Sequence, residues 1–169
     1  AEIHQKVHRD LPPTRMWGFD DATGPQSPGP TIVAQSGTPL DITWQNDLPA
    51  THVLGVDHCL AADDVPRSII HLHGGHVPAS SDGYPDDAVP PGGEVADHYP
   101  NKQGAATLWY HDHAMGITRL NVTMGLAGFY LLHDAEEAAL DLPSGADDIP
   151  LILQDRTFGA DGQIRYPAT

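Results

Sequence analysis

Two histidine pairs, His71-Leu72-His73 and His111-Asp112-His113, are the residues of this chain best suited to chemistry. Neutral imidazole favours copper, zinc, iron or nickel over hard cations, and four convergent imidazoles make a transition-metal site. The spacing within each pair matters as much as the residue type. Successive side chains of a β-strand point to opposite faces, so residues two apart line the same one. Ser68-Ile69-Ile70 leads into the first pair and Thr107-Leu108-Trp109-Tyr110 into the second, and both runs carry strand-favouring residues. Each pair is therefore expected on a strand, with both imidazoles on one face. Gly74-Gly75, directly after the first pair, lets the backbone turn close to a metal site.

A lone His-x-His is weak evidence, because carbonic anhydrases and cupins also place that pattern on strands. The cupin pattern fails here, since no glutamate stands at the required place after His73. The flanks narrow the reading further. In order along the chain come His8-Arg9-Asp10-Leu11-Pro12-Pro13-Thr14-Arg15, Pro28-Gly29-Pro30-Thr31-Ile32, His71-Leu72-His73-Gly74-Gly75, Ser81-Asp82-Gly83, His98-Tyr99-Pro100-Asn101 and the stretch 108–121. With these segments the chain resembles the first domain of bacterial multicopper oxidases, in the branch of spore-coat laccases, bilirubin oxidases and phenoxazinone synthases. The likeness covers nearly the whole sequence.

The resemblance implies an all-β fold, a cupredoxin-like Greek-key sandwich. It implies that His71 binds a type 2 copper while His73, His111 and His113 bind two type 3 coppers, together half of a trinuclear cluster that reduces dioxygen to water. The other half, and the type 1 copper that takes electrons from substrate, come in the family from a later cupredoxin domain with His-x-x-His-x-His and His-Cys-His patterns. Neither pattern occurs in this sequence; His58-Cys59-Leu60 lacks the second histidine, which makes Cys59 a free thiol. Asp82 matches an acid that in relatives helps move protons during oxygen reduction, although an aspartate before glycine is also a common turn. The implied partners are dioxygen and either the remaining cupredoxin domains or another copy of the chain. This chain alone is expected to lack oxidase activity. Relatives load copper outside the cytoplasm or in the spore mother cell, so the resemblance points to an extracytoplasmic or spore-coat location.

Other residues carry plainer expectations. Strand alternation points Asp112 away from the metals, where it serves as a hydrogen-bonding residue behind the site. His76 and His98 are expected at the surface or hydrogen-bonded, and His4, His8, His52, His58 and His133 have no metal role. Trp109 and Tyr110 are expected to pack the sandwich and hold the second pair rigid.

The elements that must position the pairs follow from composition and pattern. A chain of 169 residues suits one domain, large enough to bury a core without disulfides. Its one cysteine allows no intramolecular disulfide and leaves the compartment open. No apolar run is long enough to span a membrane, and Ala1-Glu2-Ile3 does not open a basic-then-apolar leader. The 17 glycines and 16 prolines are spread between short apolar runs, as in a turn-rich sandwich. A formal charge of −15 argues against nucleic acid, whose binding surfaces are basic, and fits a solvated acidic surface.

Thr31-Ile32-Val33-Ala34 and Leu40-Asp41-Ile42-Thr43-Trp44 are expected as a pair of strands around the turn Ser36-Gly37-Thr38-Pro39. Residues 48–66 form a long loop and 77–93 an irregular stretch, followed by strands over 94–99, 107–111 and 126–133, the last with Gly128 closely packed. Asp134-Ala135-Glu136-Glu137 reads as a capping box opening the one short helix, which stops before Pro143. The domain is expected over 1–140. Residues 141–169 are expected as a linker and the truncated opening of the next domain, with a strand over Leu151–Asp155, a turn at Ala160-Asp161-Gly162 and another short strand.

Two functional classes remain open from sequence: a domain of a laccase-like oxidase, or a stand-alone metal-binding, self-associating module without oxidase activity. A third reading places a single zinc on His71, His73 and one histidine of the second pair, with water in an open position.

Overall fold

The computed structural model describes residues 1–166. In chain order its strands and helices are β1 (Glu2–Gln5), β2 (Thr14–Trp17), β3 (Gly29–Gln35), β4 (Leu40–Gln45), β5 (Ile70–His73), β6 (Glu94–Tyr99), β7 (Ala106–Asp112), α1 (Thr118–Met124), β8 (Ala127–His133), α2 (Ala135–Ala138), β9 (Thr157–Phe158) and β10 (Ile164–Arg165). Two layers face each other. One is a sheet in the order β3-β8-β7-β5, in which β3 runs parallel to β8 and the other neighbours are antiparallel; the second is the antiparallel pair β4-β6.

Alternation along the strands decides what lies between the layers. Ile70 and Leu72 of β5, Leu108 and Tyr110 of β7 and Tyr130 and Leu132 of β8 turn inward with Tyr99 of β6, and Trp44 and Ile42 of β4 close over them. Burying each such side chain stabilises the fold by roughly 1.5–3 kcal/mol. The buried Tyr110 hydroxyl donates to the Pro30 carbonyl at 2.7 Å, so its polar end is satisfied. Gly128 sits opposite Tyr110 in the β7–β8 register, and a Cβ there would overlap the Tyr110 ring. A second apolar cluster joins Met16 and Trp17 of β2 to Met124, Leu126 and Ile164.

Four expectations need correction. Strands β3 and β4 flank the expected turn but do not pair with each other: β3 joins β8 and β4 joins β6, so the turn carries the chain from one layer to the other. Its Ser36 and Gly37 N–H groups go to the His133 and Asn101 carbonyls, each at 2.8 Å. Among the described residues there are two α-helices, not one. The unexpected α1 has β-branched Thr118, Val122 and Thr123, weak helix formers, and is held by burial of Leu120, Asn121 and Met124. The capping box at α2 is half made. The Asp134 carboxylate accepts the Glu137 N–H at 2.7 Å, but the Glu137 carboxylate turns to His133 Nδ1 at 2.6 Å, and the helix ends at Ala138.

The fourth correction concerns the tail. No strand forms over Leu151–Asp155, whose Leu151 and Leu153 are 75 % and 95 % exposed, because no edge among the described residues completes its hydrogen bonds. The turn at 160–162 does form, between β9 and β10. That hairpin folds back on β2: Thr14 Oγ1 donates to the Gly162 carbonyl at 2.6 Å and Ile164 is buried beside Met16 and Trp17. Among the described residues no helix is long and apolar enough to cross a membrane.

Candidate metal centre

Strands β5 and β7 pair antiparallel with His71 opposite His111 and His73 opposite Trp109. Because Ile70, Leu72, Leu108 and Tyr110 turn into the core, the alternate residues His71, His73, Trp109 and His111 stand on the outer face of the same sheet. His113 follows the end of β7. Its N–H donates to the Ile69 carbonyl at 2.8 Å, and its ring stacks on His71 with centroids 4.9 Å apart and planes 26° apart. Gly74, at φ +87°, turns the chain directly after His73.

The structure thus brings the four histidines together. Ligating atoms of His71, His73 and His111 all lie within 4.8 Å of one another. His113 is outside that set of three, although its ring lies 5.7 Å from that of His111 as well as against His71. Three rings are oriented by main-chain carbonyls: His71 Nδ1 to Asp82 O at 2.6 Å, His111 Nδ1 to Asp112 O at 2.7 Å, and His113 Nδ1 to Gly83 O at 3.0 Å. A carbonyl only accepts, so in each neutral ring Nδ1 carries the proton and Nε2 keeps its lone pair for a metal. His73 differs, with its Nδ1 3.2 Å from His111 Nε2. Two ring nitrogens that close need a proton or a cation between them. This donor set fits a borderline transition metal such as copper.

His111 is 6 % exposed, and its pKa is lowered to about 4. Burial is the main cause, with the neighbouring imidazoles of His71, His113 and His73 acting in the same direction and the Asp112 carbonyl opposing them. The ring is therefore neutral, the metal-binding form, over the ordinary pH range.

Asp82 ends the short 3-10 turn Ala79–Ser81 and meets His71 chiefly through its main chain. Its half-exposed carboxylate has Oδ1 3.4 Å from His71 Nδ1. Asp112 faces away from the imidazoles and is fully buried, with Oδ1 accepting the Ala114 N–H at 3.0 Å. Its pKa is pushed up to about 7, by burial first, against several hydrogen bonds that lower it. His76 and His98 are exposed, and His98 Nδ1 is 2.7 Å from Asp41 Oδ1. Cys59 is an exposed free thiol, and its neighbour His58 has Nε2 3.5 Å from Asp64 Oδ1.

Tyr110 packs the sandwich as expected, but Trp109 does not. It is 37 % exposed and lies on the histidine face, stacked against His111 and His73. Its sequence signal is parity: 109 and 111 share one side of β7.

The multicopper oxidase family model matches residues 4–137. The chain is 50% identical over 179 residues to a laccase of Bacillus stratosphericus and 43% identical over 181 residues to a laccase of Bacillus subtilis, covering 99% of this chain and 34% of the relative in each case. Among solved structures, the McoA multicopper oxidase of Aquifex aeolicus matches with a TM-score of 0.79 at 30% identity, over 98% of this chain and 33% of that one. The chain therefore spans about a third of the length of the curated relatives it matches. The likeness to such structures makes the sandwich cupredoxin-like. With a family model over most of its length and laccases similar to it from end to end, the chain belongs to the multicopper oxidase family.

Proposed function

We propose that the chain is the first cupredoxin domain of a laccase-like multicopper oxidase and supplies half the histidine ligands of its trinuclear copper cluster. His71 serves the type 2 copper, and His73, His111 and His113 serve the two type 3 coppers. The remaining ligands come from another domain or another copy of the chain. The observation that carries the reading is the convergence of the four imidazoles, His71, His73 and His111 on one sheet face and His113 stacked on His71 beyond the end of β7, three of them with Nδ1 tied to a carbonyl. Copper bound there would supply electrons, taken singly from an organic substrate at a type 1 copper elsewhere, to reduce dioxygen to water.

The chain's own residues hold and orient. The β5–β7 register sets His71 against His111, while the packed side chains beneath them keep the two strands from sliding. The carbonyls of Asp82, Gly83 and Asp112 fix which nitrogen of each ring is free. The Asp82 carboxylate, beside His71 and open to solvent, is placed to take a proton from water and pass it toward the oxygen site at Oδ1.

Metal content tests this. Protein purified from cells supplied with both copper and zinc is expected to retain copper, and the double variant His73→Gln/His111→Gln is expected to retain almost none. A colourless protein holding one zinc ion and no copper would contradict the proposal and favour a single-zinc site.

A further inference from the structure

We propose that the Asp82-Gly83 turn is a positioning device that sets the tautomer and orientation of one histidine from each pair, and that Gly83 is the residue that makes it possible. Two successive carbonyls of this turn reach two different ligand segments: Asp82 O meets His71 Nδ1 at 2.6 Å and Gly83 O meets His113 Nδ1 at 3.0 Å. The two rings so held stack on each other at 4.9 Å. Which ring nitrogen is free for a metal is decided by the hydrogen bond that the other one makes. One turn therefore leaves Nε2 of both His71 and His113 free for a metal.

The turn can do this because it is pressed against the base of β5. Gly83 is buried at φ +74°, a conformation costly for any other residue. A Cβ there would overlap the Ile70 carbonyl and come within 2.9 Å of the His71 Cα. A side chain at 83 would push the turn off β5 and take both carbonyls away from their rings. On its other side the turn is tied to β6, where the His98 N–H donates to Ser81 Oγ at 3.0 Å, and Ser81 is itself buried. The role is carried by main-chain atoms. It is separate from the proton-handling assigned to the Asp82 carboxylate, and it rests on the reading of the histidines as ligands.

The test is a long-range proton–nitrogen correlation spectrum of metal-free, histidine-labelled protein at about pH 8.5, where an ordinary imidazole of pKa about 6.5 is neutral. Wild-type protein is expected to show His71 and His113 protonated at Nδ1, and Asp82→Ala, which keeps the carbonyl, to show the same. Gly83→Ala is expected to lose that pattern in both rings, and copper affinity to fall roughly 10- to 100-fold, as when a ligand histidine loses its supporting partner. If Gly83→Ala does not fold, Ser81→Ala answers instead: it unties the turn from β6 and is expected to mix the tautomers of both rings and weaken copper roughly tenfold. An Nε2-protonated ring in the wild type, or a folded Gly83→Ala or Ser81→Ala variant with both tautomers and copper affinity unchanged, overturns the proposal. Because the tautomers are read without metal, Nδ1-protonated rings in a protein that binds no copper would contradict the ligand reading and leave the turn's role standing.

Discussion

The indole of Trp109 lies on the imidazole of His111, with ring centroids 4.1 Å apart and planes 28° apart, and the same indole is 5.0 Å from His73. It walls one side of the histidine cluster and restrains one ring of each pair. Stacked aromatic pairs contribute about 0.5–1.5 kcal/mol beyond the area they bury.

Copper bound beside that indole is expected to quench tryptophan emission. The chain has three tryptophans; Trp17 is buried in the second apolar cluster and Trp44 packs against the sandwich core, neither of them stacked on a histidine of the two pairs. Most of the quenching should vanish in Trp109→Phe, and Trp109→Leu should bind copper about 2- to 10-fold more weakly, the range that such a stacking energy represents. Equal quenching in wild type and Trp109→Phe would show that the metal sits elsewhere.

Much of this arrangement was legible in the sequence because strand parity is a strict rule. The period of two put His71 with His73 and His111 with His113, and the alternation Leu40, Ile42, Trp44 marked the inner face of β4. Parity does not name a strand's neighbour, which is why β3 and β4 resembled a pair although they lie in different layers. Helix α1 gave no local signal, since Thr118, Val122 and Thr123 disfavour helix and packing of Leu120 and Met124 overrides them. Trp109 reads as core from its residue type alone, since aromatic residues are highly buried on average, whereas its place on the histidine face is set by strand parity. The contacts from Asp82 O to His71 and from Gly83 O to His113 use main-chain atoms, which residue identity does not encode.

Stability should depend on pH through His52. Its ring is buried, its Nδ1 accepts the Leu54 N–H at 3.0 Å, and its Nε2 faces Asn121 Oδ1 at 3.1 Å. Burial lowers its pKa in the folded protein, so the unfolded chain takes up the proton first as pH falls. The stabilisation is full above about pH 6.5, the ordinary imidazole value, and is lost as pH drops through and below it. His111 acts in the same sense and Asp112 in the opposite one over this range, so the measurement is a comparison: urea unfolding of metal-free protein between pH 7 and 5 should lose less stability in His52→Gln than in the wild type. An identical loss in the variant would remove His52 from the account.

Self-association is expected from the stretch 149–153. Ile149, Leu151 and Leu153 are 67 %, 75 % and 95 % exposed, and this backbone has no ladder partner among the described residues. Exposed apolar segments of this kind seek pairing. Light scattering at micromolar concentration should give a homo-oligomer that dissociates when 149–169 is deleted. A strictly monomeric chain, unchanged by the deletion, would contradict this.

The purified chain is not expected to act as a laccase by itself. Neither a His-Cys-His nor a His-x-x-His-x-His pattern, which the resemblance assigns to the later domain carrying the type 1 copper, occurs in its sequence. With copper supplied, oxidation of a phenolic dye should proceed no faster than with free copper. Faster turnover accompanied by intense blue colour would refute the expectation.

Whether His71, His73, His111 and His113 hold copper together is decided by anomalous diffraction at the copper edge from copper-soaked crystals. Copper peaks are expected among these four rings, with nitrogen-to-metal distances of about 2.0 Å, the usual value for an imidazole bound to a metal of this size. Copper found only at surface sites such as His98 with Asp41, with the four rings unchanged and empty between them, would contradict that expectation.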